Sequence, residues 1–167
     1  YVAAVRLLMA GNRGLKRRVF ALARDVSALI AVALWNAALN EWVRLGVQRA
    51  RPYVFNPDSS AIPDPHNYTS FYSGHTSFAA LAGTFAVIYT QRVVCPKIEP
   101  KQRPWAVATV TIAGLGVTLS TGAFRVLAGM HFLTDVLFGA FAGATLCIAV
   151  LSFLTTRLRF FDQEFGR

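Results

Sequence analysis

The chain of 167 residues is 54% hydrophobic and only 15% charged, with a mean hydropathy of +0.44. A soluble domain of this size carries about a quarter charged residues, so the composition speaks against a water-soluble protein, and the length suggests one domain spanning the chain. The formal charge of +9 raises nucleic acid as a partner. The basic residues, however, cluster between apolar runs, the pattern of loops beside anionic lipid, and no nucleic-acid partner is expected.

The chain opens on Tyr1-Val-Ala-Ala-Val with no initiator methionine and no signal peptide. An earlier segment is therefore expected, with the first ten residues ending a partial N-terminal helix. Four apolar runs follow: about Val19–Val43, Ser77–Val94, Trp105–Thr121 and Leu133–Leu154. Each is close to the ~20 residues a helix needs to cross the hydrocarbon core, and inside lipid only a helix satisfies its own backbone. The expected fold is an all-α integral-membrane helical bundle, with about four complete transmembrane helices plus the partial one. Between the first two runs, Asn56-Pro57-Asp58-Ser59-Ser60 and Pro63-Asp64-Pro65-His66-Asn67 read as an ordered loop. Cys95 and Cys147 fall at different depths and form no metal-ligand spacing.

Charge bias orients the bundle. Thirteen of the 17 basic residues fall in the first and third connections and the tail: Arg6, Arg13, Lys16, Arg17, Arg18, Arg24, Arg92, Lys97, Lys101, Arg103, Arg157, Arg159 and Arg167. These segments are expected in the cytoplasm, which places Pro52–Thr76 and Gly122–His131 on the opposite side.

The remaining polar residues gather on that opposite side, where ionisable groups at membrane depth are functional candidates. Arg44 and Arg51 are seven positions apart, which on one helix would align them about 10 Å apart along the axis. Two guanidinium forks there suit an anion with several oxygens. Ser73-Gly74-His75-Thr76 precedes the second run, where a capping hydroxyl, a glycine and free N–H groups make an anion site and His75 could protonate a leaving oxygen. His131 and Asp135 stand four apart, a spacing that shares a helical face. Asp135 is expected to accept a hydrogen bond from one imidazole nitrogen, leaving the other as nucleophile. Arg125 adds a third fork. Together these supply metal-free phosphoryl transfer through a phosphohistidine.

The three stretches Arg44-x6-Arg51-Pro52, Tyr72-Ser73-Gly74-His75 and Phe124-Arg125-x5-His131-x3-Asp135 resemble the motifs K-x6-R-P, P-S-G-H and S-R-x5-H-x3-D of the type 2 phosphatidic-acid phosphatase superfamily. The resemblance implies the later part of a six-helix membrane core, truncated at its N-terminus, with no cofactor and no metal. It implies His131 as nucleophile, Asp135 as its orienting partner, and His75 as acid and then base. Arg44, Arg51, Ser73, Gly74 and Arg125 would form the phosphate cradle. The implied substrate is a phosphorylated membrane lipid: phosphatidic acid, phosphatidylglycerophosphate, a polyprenyl diphosphate or a lipid A phosphate. The expected location is a bacterial inner membrane, with the site facing the periplasm or exterior. Arg44 replaces lysine, Tyr72 proline and Phe124 serine, changes that bear on rate and substrate preference. They keep open a phosphotransferase or a catalytically silent lipid-phosphate binder. A vanadium-dependent haloperoxidase, the remaining alternative, belongs to a soluble branch, against which the four apolar runs count.

Overall fold

The computed structural model describes residues 13–56 and 64–165, with side chains over 19–56 and 64–154. The expected N-terminal partial helix, Arg6, the 57–63 stretch of the loop and Arg167 lie outside the described residues. The chain divides into two compact units, Tyr1–Ala31 and Val32–Arg167. In the first, the described residues are the opening turns of helix α1 (Arg13–Val47), with Arg24 paired to Asp25 at 2.9 Å and Val19, Phe20, Leu22, Val26 and Ile30 exposed.

The second unit holds the end of α1, then α2 (Gly74–Tyr89), α3 (Arg103–Leu127) and α4 (Leu133–Phe165); no strand occurs among the described residues. All four helices are long and apolar enough to cross a membrane, over Val19–Phe55, Gly74–Lys97, Pro100–Leu127 and Leu133–Leu154 with their flanking turns. The all-α bundle expected from the apolar runs is therefore present. Three helices exceed the runs that announced them, α3 by continuing to Leu127. α1 takes in residues 13–18 and α4 continues to Phe165, because Leu, Lys, Arg and Glu sustain a helix as well as apolar residues do.

Each boundary has a local cause. α1 stops where Gln48 adopts φ 48° and its N–H donates to the Arg44 carbonyl at 3.0 Å, a left-handed cap that normally favours glycine. α2 starts on Ser73, whose hydroxyl accepts from the Thr76 N–H. It gives way to a π turn over Thr90–Val94 and a 3-10 turn over Cys95–Lys97 containing Pro96. α3 ends in a Schellman motif: Gly129 (φ +65°) donates to Val126 at 2.9 Å and Met130 to Arg125 at 3.1 Å.

α2 is the central helix of this unit, packed against both α3 and α4. A Cβ on Gly139 would come within 2.6 Å of the Ser73 carbonyl oxygen, and one on Gly143 would collide with that of Ser77. This small-xxx-small pair lets α4 approach α2 backbone to backbone, the packing that membrane helices use when lipid is as apolar as their side chains. The polarity of the unit is accordingly turned inside out. Among the described residues the buried set holds twelve polar or charged side chains against nine hydrophobic ones, while Trp35, Trp42, Trp105, Ile112, Leu119 and Phe141 face outward. A water-soluble core shows the opposite preference.

Gly143→Val should lower the thermal midpoint in detergent by the equivalent of about 3 kcal/mol or more, since backbone has to move. Gly116→Ala, which meets nothing within 4 Å, should be neutral or stabilising by up to about 1 kcal/mol. Equal midpoints for the two variants would contradict the close approach of α2 and α4.

Candidate active site

Val32, Asn36, Asn40 and Arg44 recur every fourth residue along α1 and form one face. Val32, Asn36 and Asn40 are buried. Asn36 Oδ1 accepts from Ser77 Oγ at 2.5 Å, and Asn40 Nδ2 donates to the Tyr72 carbonyl at 2.9 Å. Arg44 pairs through Nη1 with Glu41 at 2.7 Å, leaving its buried Nε without an acceptor. Arg51 does not share the helix with Arg44 as the spacing suggested, because α1 ends at Val47 and Arg51 is extended (φ −77°, ψ 151°). Its guanidinium is held by the His66 carbonyl at 3.0 Å, Thr69 Oγ1 at 3.2 Å and Met130 Sδ at 3.4 Å. The chain fold nevertheless brings Arg44, Arg51 and Arg125 close enough for their charges to act on one another and on His75.

At the start of α2, Ser73 is buried and its Oγ lies 3.0 Å from Thr76 Oγ1. Its hydroxyl serves the helix cap, and Gly74 and His75 supply first-turn N–H groups that have no intrahelical acceptor. Gly74 lies against α1: a Cβ there would come within 2.7 Å of Asn40 Oδ1, so the Asn40 side chain would have to shift. His75 is exposed, whereas Arg125 has a buried Nε without a partner.

His131 precedes α4 rather than lying on it, and it is 1% exposed. Its Nδ1 is 2.7 Å from the Ser70 carbonyl oxygen. A carbonyl only accepts, so Nδ1 carries the proton and Nε2 the lone pair, and Nε2 is buried without a partner. The direct bond expected from His131 to Asp135 is not formed: Asp135 Oδ2 stands 3.8 Å from Nδ1. The carboxylate is taken up instead by Arg49 Nη1 at 2.6 Å on Oδ1, and by Ser70 Oγ at 2.5 Å and the Phe132 N–H at 2.9 Å on Oδ2. The last contact is the N3-to-N-cap half of a capping box, which starts α4. Asp135 thus reaches His131 through Ser70 and through its charge.

Arg49, Ser70, Asn36 and Asn40 were not among the residues singled out from sequence. The two asparagines carried a signal, polar groups four apart inside an apolar run. Arg49 looked like one more loop charge, and Ser70 had no signal. Of the motif departures, Tyr72 is buried with its carbonyl on Asn40, while Phe124 is 70% exposed on α3. Among the described residues no group of three or more His, Cys, Asp or Glu side chains is placed to hold a metal.

Burial pushes the His131 imidazole down to about 4; the Ser70 carbonyl and Asp135 oppose this, and Arg51 and Arg125 add to it. A folded-state value below the ordinary 6.5 means that the unfolded chain binds the extra proton first. This contribution to stability is whole above pH 6.5 and is lost as pH falls towards 4. The loss should be on the order of 3 kcal/mol. Comparing thermal midpoints of wild type and His131→Asn between pH 7.5 and 4.5 isolates it, and parallel curves would contradict a neutral buried His131.

No curated protein and no solved structure matches the chain. A family model described as the PAP2 superfamily matches residues 25–159, which take in every motif residue from Arg44 to Asp135. Members of that superfamily are generally phosphatases, and with the match covering most of its length this chain belongs to the PAP2 superfamily.

Proposed function

We propose that the protein hydrolyses a phosphorylated membrane lipid through a phosphohistidine formed on His131, at the non-cytoplasmic face. The observation that carries the reading is the set of buried, unpartnered nitrogens on motif residues: His131 Nε2, Arg44 Nε and Arg125 Nε. A buried polar atom left unsatisfied costs about 1–3 kcal/mol, and an anion with several oxygens would satisfy the two arginines beside a free nucleophile.

In the first step Nε2 attacks phosphorus as the bond to the lipid oxygen breaks, and His75 delivers a proton to that oxygen. Arg44, Arg51, Arg125 and the first N–H groups of α2 receive the charge on the three non-bridging oxygens. In the second step His75, now neutral, takes a proton from water as it attacks phosphorus. The P–N bond breaks and its electron pair returns to Nε2. The Asp135 carboxylate, paired with Arg49, steadies the positive charge His131 carries in the intermediate. The apolar exterior supports a lipid substrate, since its tails would lie in the same layer as Trp42 and Phe124. The weighting of Lys and Arg to the opposite connections supports the assigned face.

The test is phosphate release by purified protein in detergent with EDTA present, over phospholipid, polyprenyl and lipid A phosphates. Wild type should release phosphate from at least one of them. His131→Ala should fall to background, and His75→Ala should lose about 10²- to 10⁴-fold. In sealed membrane vesicles, Asp64→Cys should react with an impermeant maleimide added to the side opposite that reaching Lys101→Cys. Labelled phosphate found on an acceptor instead of in solution would make the protein a transferase, and no turnover by folded protein would remove the hydrolase reading.

A further inference from the structure

Two residues outside the motifs, Arg49 and Ser70, form a closed circuit with Asp135 behind His131. The Ser70 N–H donates to the Arg49 carbonyl at 3.0 Å. Ser70 Oγ donates to Asp135 Oδ2 at 2.5 Å, and Arg49 Nη1 donates to Asp135 Oδ1 at 2.6 Å. The same Arg49 nitrogen lies 2.8 Å from Thr134 Oγ1, and its guanidinium sits 4.1 Å above the Phe132 ring. Arg49 is therefore fixed on three sides by the start of α4. His131 hangs from this circuit by one bond, Nδ1 to the Ser70 carbonyl at 2.7 Å.

We propose that Arg49 and Ser70 are positioning residues for the nucleophile, holding the Ser70 carbonyl and the Asp135 carboxylate so that Nδ1 keeps the proton and Nε2 faces the phosphate. The proposal rests on the functional reading above for what Nε2 does, but not for how it is held. The circuit divides two tasks that a single His–Asp bond would combine. The main-chain carbonyl selects the tautomer, because it accepts a proton and never gives one. The carboxylate supplies charge, moderated by Arg49 and by two further donors. With Arg49 gone, Asp135 would stand 3.8 Å from Nδ1 without its cation. It would then draw a second proton onto His131 and occupy Nε2, blocking attack.

A plain structural ion pair would lower stability without altering His131, so the test reads His131 directly. The other charges acting on it are Arg51 after α1, Arg125 on α3 and Asp135 on α4. His75 on α2 titrates among the same arginines, so a rate profile alone would mix the two histidines. The full chain, ¹⁵N-labelled at histidine and held in detergent, is titrated as wild type, Arg49→Met, Arg49→Lys and Ser70→Ala. The rates of each are measured on the best substrate of the phosphate-release panel.

Wild-type His131 should show the neutral Nδ1–H tautomer. Arg49→Met and Ser70→Ala should raise its protonation midpoint by about one unit or more and lower kcat by about 10- to 100-fold, with KM changed by less than about twofold. Arg49→Lys should recover most of both. If Arg49→Met does not fold, Ser70→Ala carries the test, since it removes one hydroxyl and keeps the carbonyl. Folded variants with wild-type kcat and an unmoved His131 midpoint would overturn the proposal. Absence of phosphate release by wild type would sink the functional reading alone, because the tautomer and midpoint do not depend on turnover.

Discussion

A carboxylate with no exposed surface at the end of a membrane helix has to be fully hydrogen-bonded, and much of this site follows from how Asp135 meets that requirement. Its side chain draws in Arg49 from the segment after α1, Ser70 from the segment before α2, and the Phe132 N–H that begins α4. Its carbonyl also accepts the Ser73 N–H at 3.0 Å, which registers the start of α2 against the start of α4. Removing one partner of such a buried charge typically costs about 3–5 kcal/mol. An exposed pair such as Lys101–Glu99 is worth about 1 kcal/mol or less. The buried pair, not the surface ones, defines the corner in which the motifs meet.

The rest of the unit reflects lipid as solvent. With no hydrophobic drive between helices, glycines let backbones touch and small polar side chains bridge them. Gly139 and Gly143 ride on the Ser73 and Ser77 carbonyls, Gly83 faces Gly114, and Asn36 and Asn40 reach across to Ser77 and Tyr72. The Gly139 and Asn40 contacts fall on Ser73 and Tyr72 at the start of α2, so the packing that holds the helices also places Gly74 against Asn40.

Hydropathy made the four spans legible, because the length and apolarity a helix needs in lipid leave a strong trace in sequence. The spacing of Arg44, Ser73, Gly74, His75, Arg125, His131 and Asp135 stood out for a different reason: the proposed anion site needs donors and a nucleophile of a few residue types. The geometry that failed was geometry fixed by backbone. Gln48 carries no stop signal, yet it ends α1 in a left-handed turn and takes Arg51 off the helix. The acceptor for His131 is a main-chain carbonyl 61 residues away, and a carbonyl has no residue type to read. Arg49 escaped notice because, in a membrane chain, an arginine beside an apolar run is first read as topology. The polar pair Asn36 and Asn40 was readable by the same rule that singled out Asp135.

The central claim is that Nε2 of His131 attacks phosphorus. It is tested most directly by mixing the protein with ³²P-labelled lipid phosphate, quenching in alkali within the first turnovers, and locating the label. The account predicts an alkali-stable, acid-labile phosphohistidine on the peptide containing His131, lost in His131→Ala and accumulating in His75→Ala. Label released at the wild-type rate by His131→Ala, or trapped on a different residue, would contradict it.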